Sequence, residues 1–413
     1  MSLTIGTENI TQIFDAVHDN YIKALFEQYK SQVILFDKLK RKPADGRQTL
    51  YKAKLGSNRS GVFLAERGTM PSAKGRIFEE MTVLLKYMYV AFDMTGPELK
   101  LCKSKEQIVD VIGDAFKDTF DAGKQFYNRT LWLDGSQRIA QCNGTGSYDA
   151  TTGETTVTFD NGCPFHFHLH EDLTFGTNGT GYELVSIDRE NSTIDVVGDC
   201  SSVAVNDAWI YPYGGYVAGY ARAPMGLKGH NSDSDPPAAA YQGFNRATSG
   251  YDFLQAHVED FSGTALTTVN LDQFFFDIHA RAIDKSPNLI LTEDGVLSSF
   301  KQLMSSKHQS VDAVPSKIGY GKQLSWVYNG EDMTLVSVLN CPSGELHAIN
   351  TDYLEILEGR PLEWDTMFSS SGKLHWDNQA DIFYGRLVSY WNTICYNNST
   401  MGKMEDVKRY SIT

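Results

Sequence analysis

Long apolar runs are missing from this sequence. Its most apolar segment, Met81 to Phe92, is interrupted by Lys86 and falls short of the roughly 18 residues that a helical membrane span needs. The opening residues, MSLTIGTENI, carry neither the basic nor the apolar region of a secretory signal. Cysteine is sparse: Cys102, Cys142, Cys163, Cys200, Cys341 and Cys395 are scattered, with no C-x-x-C pair. That spacing supports neither a zinc ribbon nor a dithiol motif, and it predicts isolated buried thiols in a cytosolic protein. Triplets such as Asn143-Gly-Thr and Asn178-Gly-Thr then read as turn chemistry, not as glycan acceptors. Basic charge is also short. With 37 Lys and Arg against 51 Asp and Glu, the net charge is −14. This disfavours tight non-specific contact with nucleic-acid phosphates and favours a soluble particle that repels its own copies at long range.

Catalytic signatures are missing too. There is no G-x-x-x-x-G-K-[ST] loop, no G-x-S-x-G elbow and no H-E-x-x-H. The glycine-rich GTNGTG, Gly176 to Gly181, does not open a helix and so makes no phosphate cradle. The acid pairs Glu79-Glu80 and Glu331-Asp332 are adjacent, so an extended chain points their carboxylates apart and leaves them solvated. The expectation is no enzyme and no cofactor.

What is present organises 413 residues into two or three structural units, and 12% aromatic content is ample for a core. Ile10, Ile13, Phe14, Val17, Tyr21, Leu25 and Tyr29 recur at three- and four-residue steps, one stripe of an amphipathic helix. It ends in KLKRKPADG, at Pro43 and Gly46. The basic run Lys38 to Lys42 suits phosphates or a neighbour's acids. Thr49, Tyr51, Ala53 and Leu55 alternate with Gln48, Leu50, Lys52 and Lys54, the period of a strand. A second extended run covers Ile77 to Val90. The polar stretch from Gly56 to Gly75 between them is too long for a tight hairpin, so the segment reads as a projecting two-stranded arm.

Ser104-Lys105-Glu106-Gln107 has the form of a capping box. Ile108, Ile112, Phe116, Phe120, Tyr127 and Leu131 then hold one face of a long helix. Gly113 and Gly123 inside it predict a bend or a close backbone contact. From Arg138 to Tyr213, turn residues punctuate TTVTF, FHFHLH, YELVSI, STIDVV and DAWIYPY, which predicts a compact, barrel-like β-insert. NSDSDPPAAA, Asn231 to Ala240, reads as a flexible surface loop. Asn270 is expected to cap a helix through Leu271, Phe274, Phe275, Ile278 and Ile283. NLILT follows as a buried strand, then a helix to about Met304, then strands in SWVYNGEDMTLVSVL, GELHAIN and DIFYGRLVSYWNTICY.

The segment CPFHFHLHED, Cys163 to Asp172, raises the sharpest chemical question. As a strand it places His166, His168 and His170 on one face, with neighbours about 6.6 Å apart, and Phe165, Phe167 and Leu169 on the other. The apolar side faces the core, so the histidines belong to an outer, semi-exposed face. A metal site is the alternative, and it needs further ligands from Glu171, Asp172 or a distant histidine.

The order of parts resembles the major capsid proteins of tailed bacteriophages, the Hong Kong 97-like capsid fold. FYNRTLWLDGSQRIAQ looks like the end of that family's spine helix, although LWLDGSQ departs from its usual glycine pattern. YELVSIDRENSTIDVVGD with NDAWIYPYGG looks like the small β-insert of some members. MGLKG, with YQGFNRATSGYDFLQAHVEDFSGTALTTVNLDQFFFDI, looks like the entry to the axial domain. NCPSGELHAINTDYLEI and FYGRLVSYWNTICYNNSTMGKMEDV look like closing strands of the peripheral domain.

The resemblance implies an α+β chain. Its N-terminal arm spans 1–46, an extended loop (E-loop) 47–86, and a peripheral P-domain with spine helix 87–137. A β-rich insertion domain follows at 138–213 and an axial A-domain at 214–340. Residues 341–413 hold the A-domain return and the closing P-domain strands. It also implies an assembly interface on the loop, at Lys52, Lys54, Asn58, Arg59, Glu66, Arg67, Lys74 and Arg76. The implied object is a homo-oligomer of pentamers and hexamers that closes an icosahedral shell around double-stranded DNA. Scaffolding, portal and decoration proteins are the implied partners, with no membrane, assembly in the host cytoplasm and residence in the virion capsid. Only about 45 residues precede the loop, which suggests a separate scaffold. Lys52, Lys54 and Lys74 with Asn392, Asn397 and Asn398 are too common as residue types to imply the Lys–Asn cross-link of some relatives. Rival readings are an encapsulin-like compartment, a phage tail or receptor-binding protein, and a histidine-rich metalloenzyme.

Overall fold

The computed structural model describes residues 35, 38–44, 46–56, 77–97, 105–215, 222–237, 240–282, 286–305, 324–328, 330–365, 374–377 and 381–409. The apolar stripe from Ile10 to Tyr29, the loop tip, Ser104 of the capping box and Ile283 lie outside them. No described helix is long and apolar enough to cross a membrane.

A long helix, Lys105–Trp132, lies against a five-stranded sheet. That sheet runs Lys40–Pro43, Leu354–Trp364, Ile382–Cys395 and Leu374–Asp377, with Lys86–Thr95 also pairing Ile382–Cys395. The anticipated helical stripe is the buried one: Ile112, Phe116, Phe120, Tyr127 and Leu131 are each at most 2% exposed. Phe116 meets Trp364 edge-on at 4.6 Å, and Tyr127 stacks on Trp391 at 4.0 Å. Such aromatic pairs add about 0.5–1.5 kcal/mol beyond their buried area. Gly123 marks the close approach, since a Cβ there would stand 3.2 Å from Leu387. Gly113 faces open space instead, so it marks no contact.

The run expected to extend from Ile77 to Val90 is two strands, Ile77–Leu84 and Lys86–Thr95. Alternation breaks at Leu85: Leu84 is exposed, Leu85 buried and Tyr87 exposed. One strand therefore joins the arm and the next joins the sheet, with opposite parity. The 11-residue strand Leu354–Trp364 runs well beyond the expected closing-strand stretch NCPSGELHAINTDYLEI, which ends at Ile356. Gly359 and Pro361 ordinarily weaken a strand, and here two register irregularities, around Arg360, absorb them.

A second sheet has six strands, in the order His257–Asp260, Gly402–Glu405, Leu346–Ile349, Leu289–Thr292, Glu331–Ser337 and Leu324–Tyr328. Helices Thr268–Arg281 and Asp294–Ser305 pack on it through Phe274, Phe275, Ile278, Val296 and Phe300. The cap of the first helix is Thr267, whose side chain accepts from the Asn270 amide, not Asn270 itself. The final segment divides between sheets: Ile382–Cys395 completes the first and Gly402–Glu405 enters the second.

Between Ala140 and Pro212 seven strands form the β-insert. Thr193–Val197 pairs both Tyr182–Asp188 and Glu154–Asp160, which closes six of the strands into a small barrel. Val157, Phe159, Leu173, Phe175, Leu184, Ile194 and Ile210 fill it, inward at alternate positions as closure requires. The thiols of Cys142, Cys163, Cys200, Cys341 and Cys395 are all free and buried.

NSDSDPPAAA is anchored over its first part, against the expectation of a flexible loop. Asn231 is fully buried, and so is Arg246. The Arg246 guanidinium donates to the carbonyls of Ser232, Ser234, Gly229 and His230 and lies 3.6 Å over the Tyr241 ring. A buried cation held by four carbonyls and an aromatic face fixes the chain around it.

Candidate functional site

Strands Gln48–Gly56 and Ile77–Leu84 form a separate two-stranded ribbon, with Lys52 opposite Glu80 and Leu50 opposite Thr82. Its two faces have different fates. Met81 packs with Tyr241, Phe244 and Leu254, while Val83 and Leu85 pack with Leu357 and Ile394. The Thr82 amide donates to the Gln242 carbonyl at 3.0 Å, and the Tyr251 hydroxyl donates to Glu79 Oε2 at 2.5 Å. The base of the arm is thus docked on its own subunit, more firmly than the alternation pattern alone suggests.

Among the described residues nothing covers the opposite face. Leu50, Phe78 and Leu84 are 55, 47 and 41% exposed, interleaved with exposed Lys52 and Glu80. Beyond Leu85 exposed aromatics continue along the same chain. Tyr87 meets Tyr390 edge-on at 4.9 Å, and Tyr89 meets it at 6.1 Å. Arg360 lies 5.9 Å over the Tyr390 ring, and Arg386 lies 5.3 Å over Tyr384. Tyrosine and arginine on an apolar ground is the composition of interface cores and hot spots. No catalytic grouping is needed for such a surface.

Of the residues expected at the interface, Lys52 stands exposed on the ribbon. Lys54 lies opposite Phe78 in the register, with its side chain outside the described part. Asn58, Arg59, Glu66, Arg67, Lys74 and Arg76 lie outside the described residues. Leu50, Phe78, Leu84, Tyr87 and Tyr89 were not anticipated. Their signal is legible in IFEEMTVLLKYMYV, where apolar residues occupy both parities, the mark of a strand covered on both faces. The basic run meets its own subunit: Lys40 pairs with Asp352 at 3.0 Å, and Lys42 lies 5.1 Å over Tyr51. Asn392 donates to the Leu84 carbonyl and Asn398 to that of His230. The Asn397 side chain caps Ser399. All three carboxamides are engaged within the subunit.

The histidine segment is not a strand, and the expected faces are only partly kept: Phe167 is buried and His170 exposed, as anticipated. Pro164–His166 is a 3-10 turn, and His170 has a positive φ of 64°. His166 is buried while Phe165 and Leu169 are exposed. The proline and its turn override the alternation. The segment serves as a joint. Arg129 on the long helix, 2% exposed, donates to the His166 carbonyl at 3.0 Å and to Glu171 Oε2 at 2.8 Å. His166 Nε2 bonds the Asn340 carbonyl at 2.9 Å, and the Cys163 thiol reaches the Leu339 carbonyl. Burial, then the Arg129 charge, pushes His166 down to about 3, so the ring is neutral and Nε2 is the donor. His170 instead pairs with Glu183 in solvent. The three rings do not converge, and among the described residues no group of three or more His, Cys, Asp or Glu is placed to hold a metal.

No protein-family model matches the sequence, and no curated protein is similar to it. Similarity appears in structure. A chain of the cyanophage A-1(L) capsid asymmetric unit superposes with a TM-score of 0.55 at 13% identity, over 91% of this chain and 93% of that one. The chain has a capsid fold. Fainter likenesses to the same fold include Mycobacterium phage Patience, at a TM-score of 0.44 and 9% identity over 100 and 93% of the two chains. A Synechococcus elongatus encapsulin complex follows at 0.42 and 10%, over 90 and 86%.

Proposed function

We propose that this chain is the major capsid protein of a tailed bacteriophage, a structural subunit and not an enzyme. It assembles as pentamers and hexamers into an icosahedral shell around packaged double-stranded DNA. The observation that carries this reading is the capsid fold shared over nine-tenths of the chain. The two-faced ribbon supports it. One face is spent on the subunit's own core, and the other leaves Leu50, Phe78 and Leu84 for a neighbour. Such a contact joins two different patches head to tail, and it must return on itself to close a ring.

In this reading residues 47–86 are the extended loop, 87–137 the P-domain with its spine helix, and 138–213 the insertion domain. Residues 214–340 are the A-domain, and 341–413 return through it to the closing P-domain strands. Scaffolding and portal proteins direct assembly in the host cytoplasm, decoration proteins have the insert as a landing site, and the mature location is the virion capsid. The acidic balance, −14 overall, keeps the DNA free to slide during packaging.

The test is expression with and without the candidate scaffold, followed by electron microscopy. Uniform shells with five- and six-fold clusters are expected. A stable monomer under both conditions refutes the proposal. A cargo enzyme packed inside the shell would favour the encapsulin-like compartment instead.

A further inference from the structure

A cleft of about 250 Å³ opens between the long helix and the histidine joint. Lys124, Gln125 and Asn128 line it from the helix, Phe165 and His168 from the joint, and Arg189 from the barrel. Although the chain has 51 acids to 37 bases, none of the lining residues is an Asp or Glu. His168 Nε2 is buried there without a hydrogen-bond partner among the described residues. Arg189 forms no ion pair among the described residues, and its guanidinium lies 5.3 Å over the Phe165 ring. Lys124 is held by Asp121 at 2.6 Å.

We propose that this cleft binds the phosphate of a nucleotide, free or within a nucleic-acid strand. An arginine fork and a ring nitrogen donate to a tetrahedral oxyanion from two directions. The half-exposed Phe165 ring offers a flat apolar neighbour to the attached base or sugar. The local field has the right sign: burial first, then Arg129 and Arg189, holds His168 below the ordinary histidine range, against the opposing pull of Glu171. A seated phosphate would reverse that shift.

The test is titration of the full unassembled chain with inorganic phosphate, adenosine monophosphate and a short thymidine oligonucleotide, followed by the His168 ring resonances. Adenosine monophosphate is expected to bind at about 1 mM or tighter and to move the His168 titration to higher pH. Inorganic phosphate should bind more weakly. Arg189→Gln should weaken binding at least about tenfold, a loss of about 1.4 kcal/mol. Arg281→Gln, the same charge change at an exposed site elsewhere, should leave it intact. A preference for the oligonucleotide over the mononucleotide identifies a strand as the source, and equal binding identifies the free nucleotide. Failure of both to move His168, or equal losses in the two arginine variants, overturns the site.

Discussion

Replacing Arg129 with Met tests whether the histidine segment is a joint. The substitution keeps the apolar stem that packs beside Phe126, over whose ring the guanidinium lies at 5.1 Å, and removes only the charged head. Two bonds are lost, at 2.8 Å to Glu171 and 3.0 Å to the His166 carbonyl. Breaking one partner out of a buried ion pair costs about 3–5 kcal/mol. Glu171 retains 19% of its side-chain exposure, so water recovers part of the loss, and about 3 kcal/mol is the expected cost. A chain of this size need not unfold in one step, so the assay is native-state hydrogen exchange. Amides of residues 162–171 and of the barrel strands should exchange about a hundredfold faster, which is what about 3 kcal/mol of local opening produces. The long helix should keep its protection. Arg129→Met combined with Glu171→Gln should cost less than the sum of the single changes, because the second removes the orphaned charge. Unchanged exchange in 162–171, or uniform acceleration over the whole chain, would refute the assignment of this segment as a joint.

Four further outcomes follow from the same structure. Leu50→Asp and Phe78→Asp, at sites about half exposed, should leave circular dichroism and monomer solubility unchanged yet abolish shells in micrographs. His166 and His230 are both pushed down to about 3, chiefly by burial. The unfolded chain takes up their protons below about pH 6.5 while the folded chain does not. Each therefore contributes stability that is complete above that pH and falls by about 1.4 kcal/mol per unit toward pH 3; His166→Gln should reduce the slope of denaturation midpoint against pH by one proton. Gly113→Ala, where a Cβ meets nothing within 4 Å, should stabilise the helix by about 1 kcal/mol, read as a rise in the denaturant midpoint. Burial pushes the thiols of Cys142, Cys163 and Cys395 up to about 12. Peptide mapping should show them unlabelled by iodoacetamide in the native chain and labelled after unfolding.

Periodic elements were the legible part of the fold. The stripe from Ile112 to Leu131 could be read because a 3.6-residue period sustained over many turns leaves one buried face. Most of the barrel strands were legible because turn residues bracket short alternating runs. The failures have a common physical source, which is long-range pairing that local chemistry does not announce. Leu354–Trp364 survives its glycine and proline because Ile382–Cys395 pairs with it before and after them, while Lys40–Pro43 holds its first half from the other side. The histidine alternation signalled a strand, but Pro164 and a partner 37 residues earlier in the chain set the conformation. NSDSDPP has loop composition, and bonds from Arg246 and to Gly402, both outside the segment, make it rigid.

The candidate surface shows the same division at finer scale. Alternation along Ile77–Leu84 identifies two faces, but not which of them belongs to the subunit. The choice falls to residues far away in sequence, with Tyr241, Phe244 and Leu254 covering one parity. Nothing described covers Leu50 and Phe78 on the other. Burying three such side chains on a neighbour is worth about 1.5–3 kcal/mol each. That is too little to hold an isolated dimer against the cost of association, but it is multiplied around a ring in which every copy both gives and receives the contact. Docking the arm's base on its own core strengthens that case: a ribbon already fixed at its root loses less freedom when its outer face is covered. The same weak contact can therefore close a ring of many copies while leaving single encounters reversible.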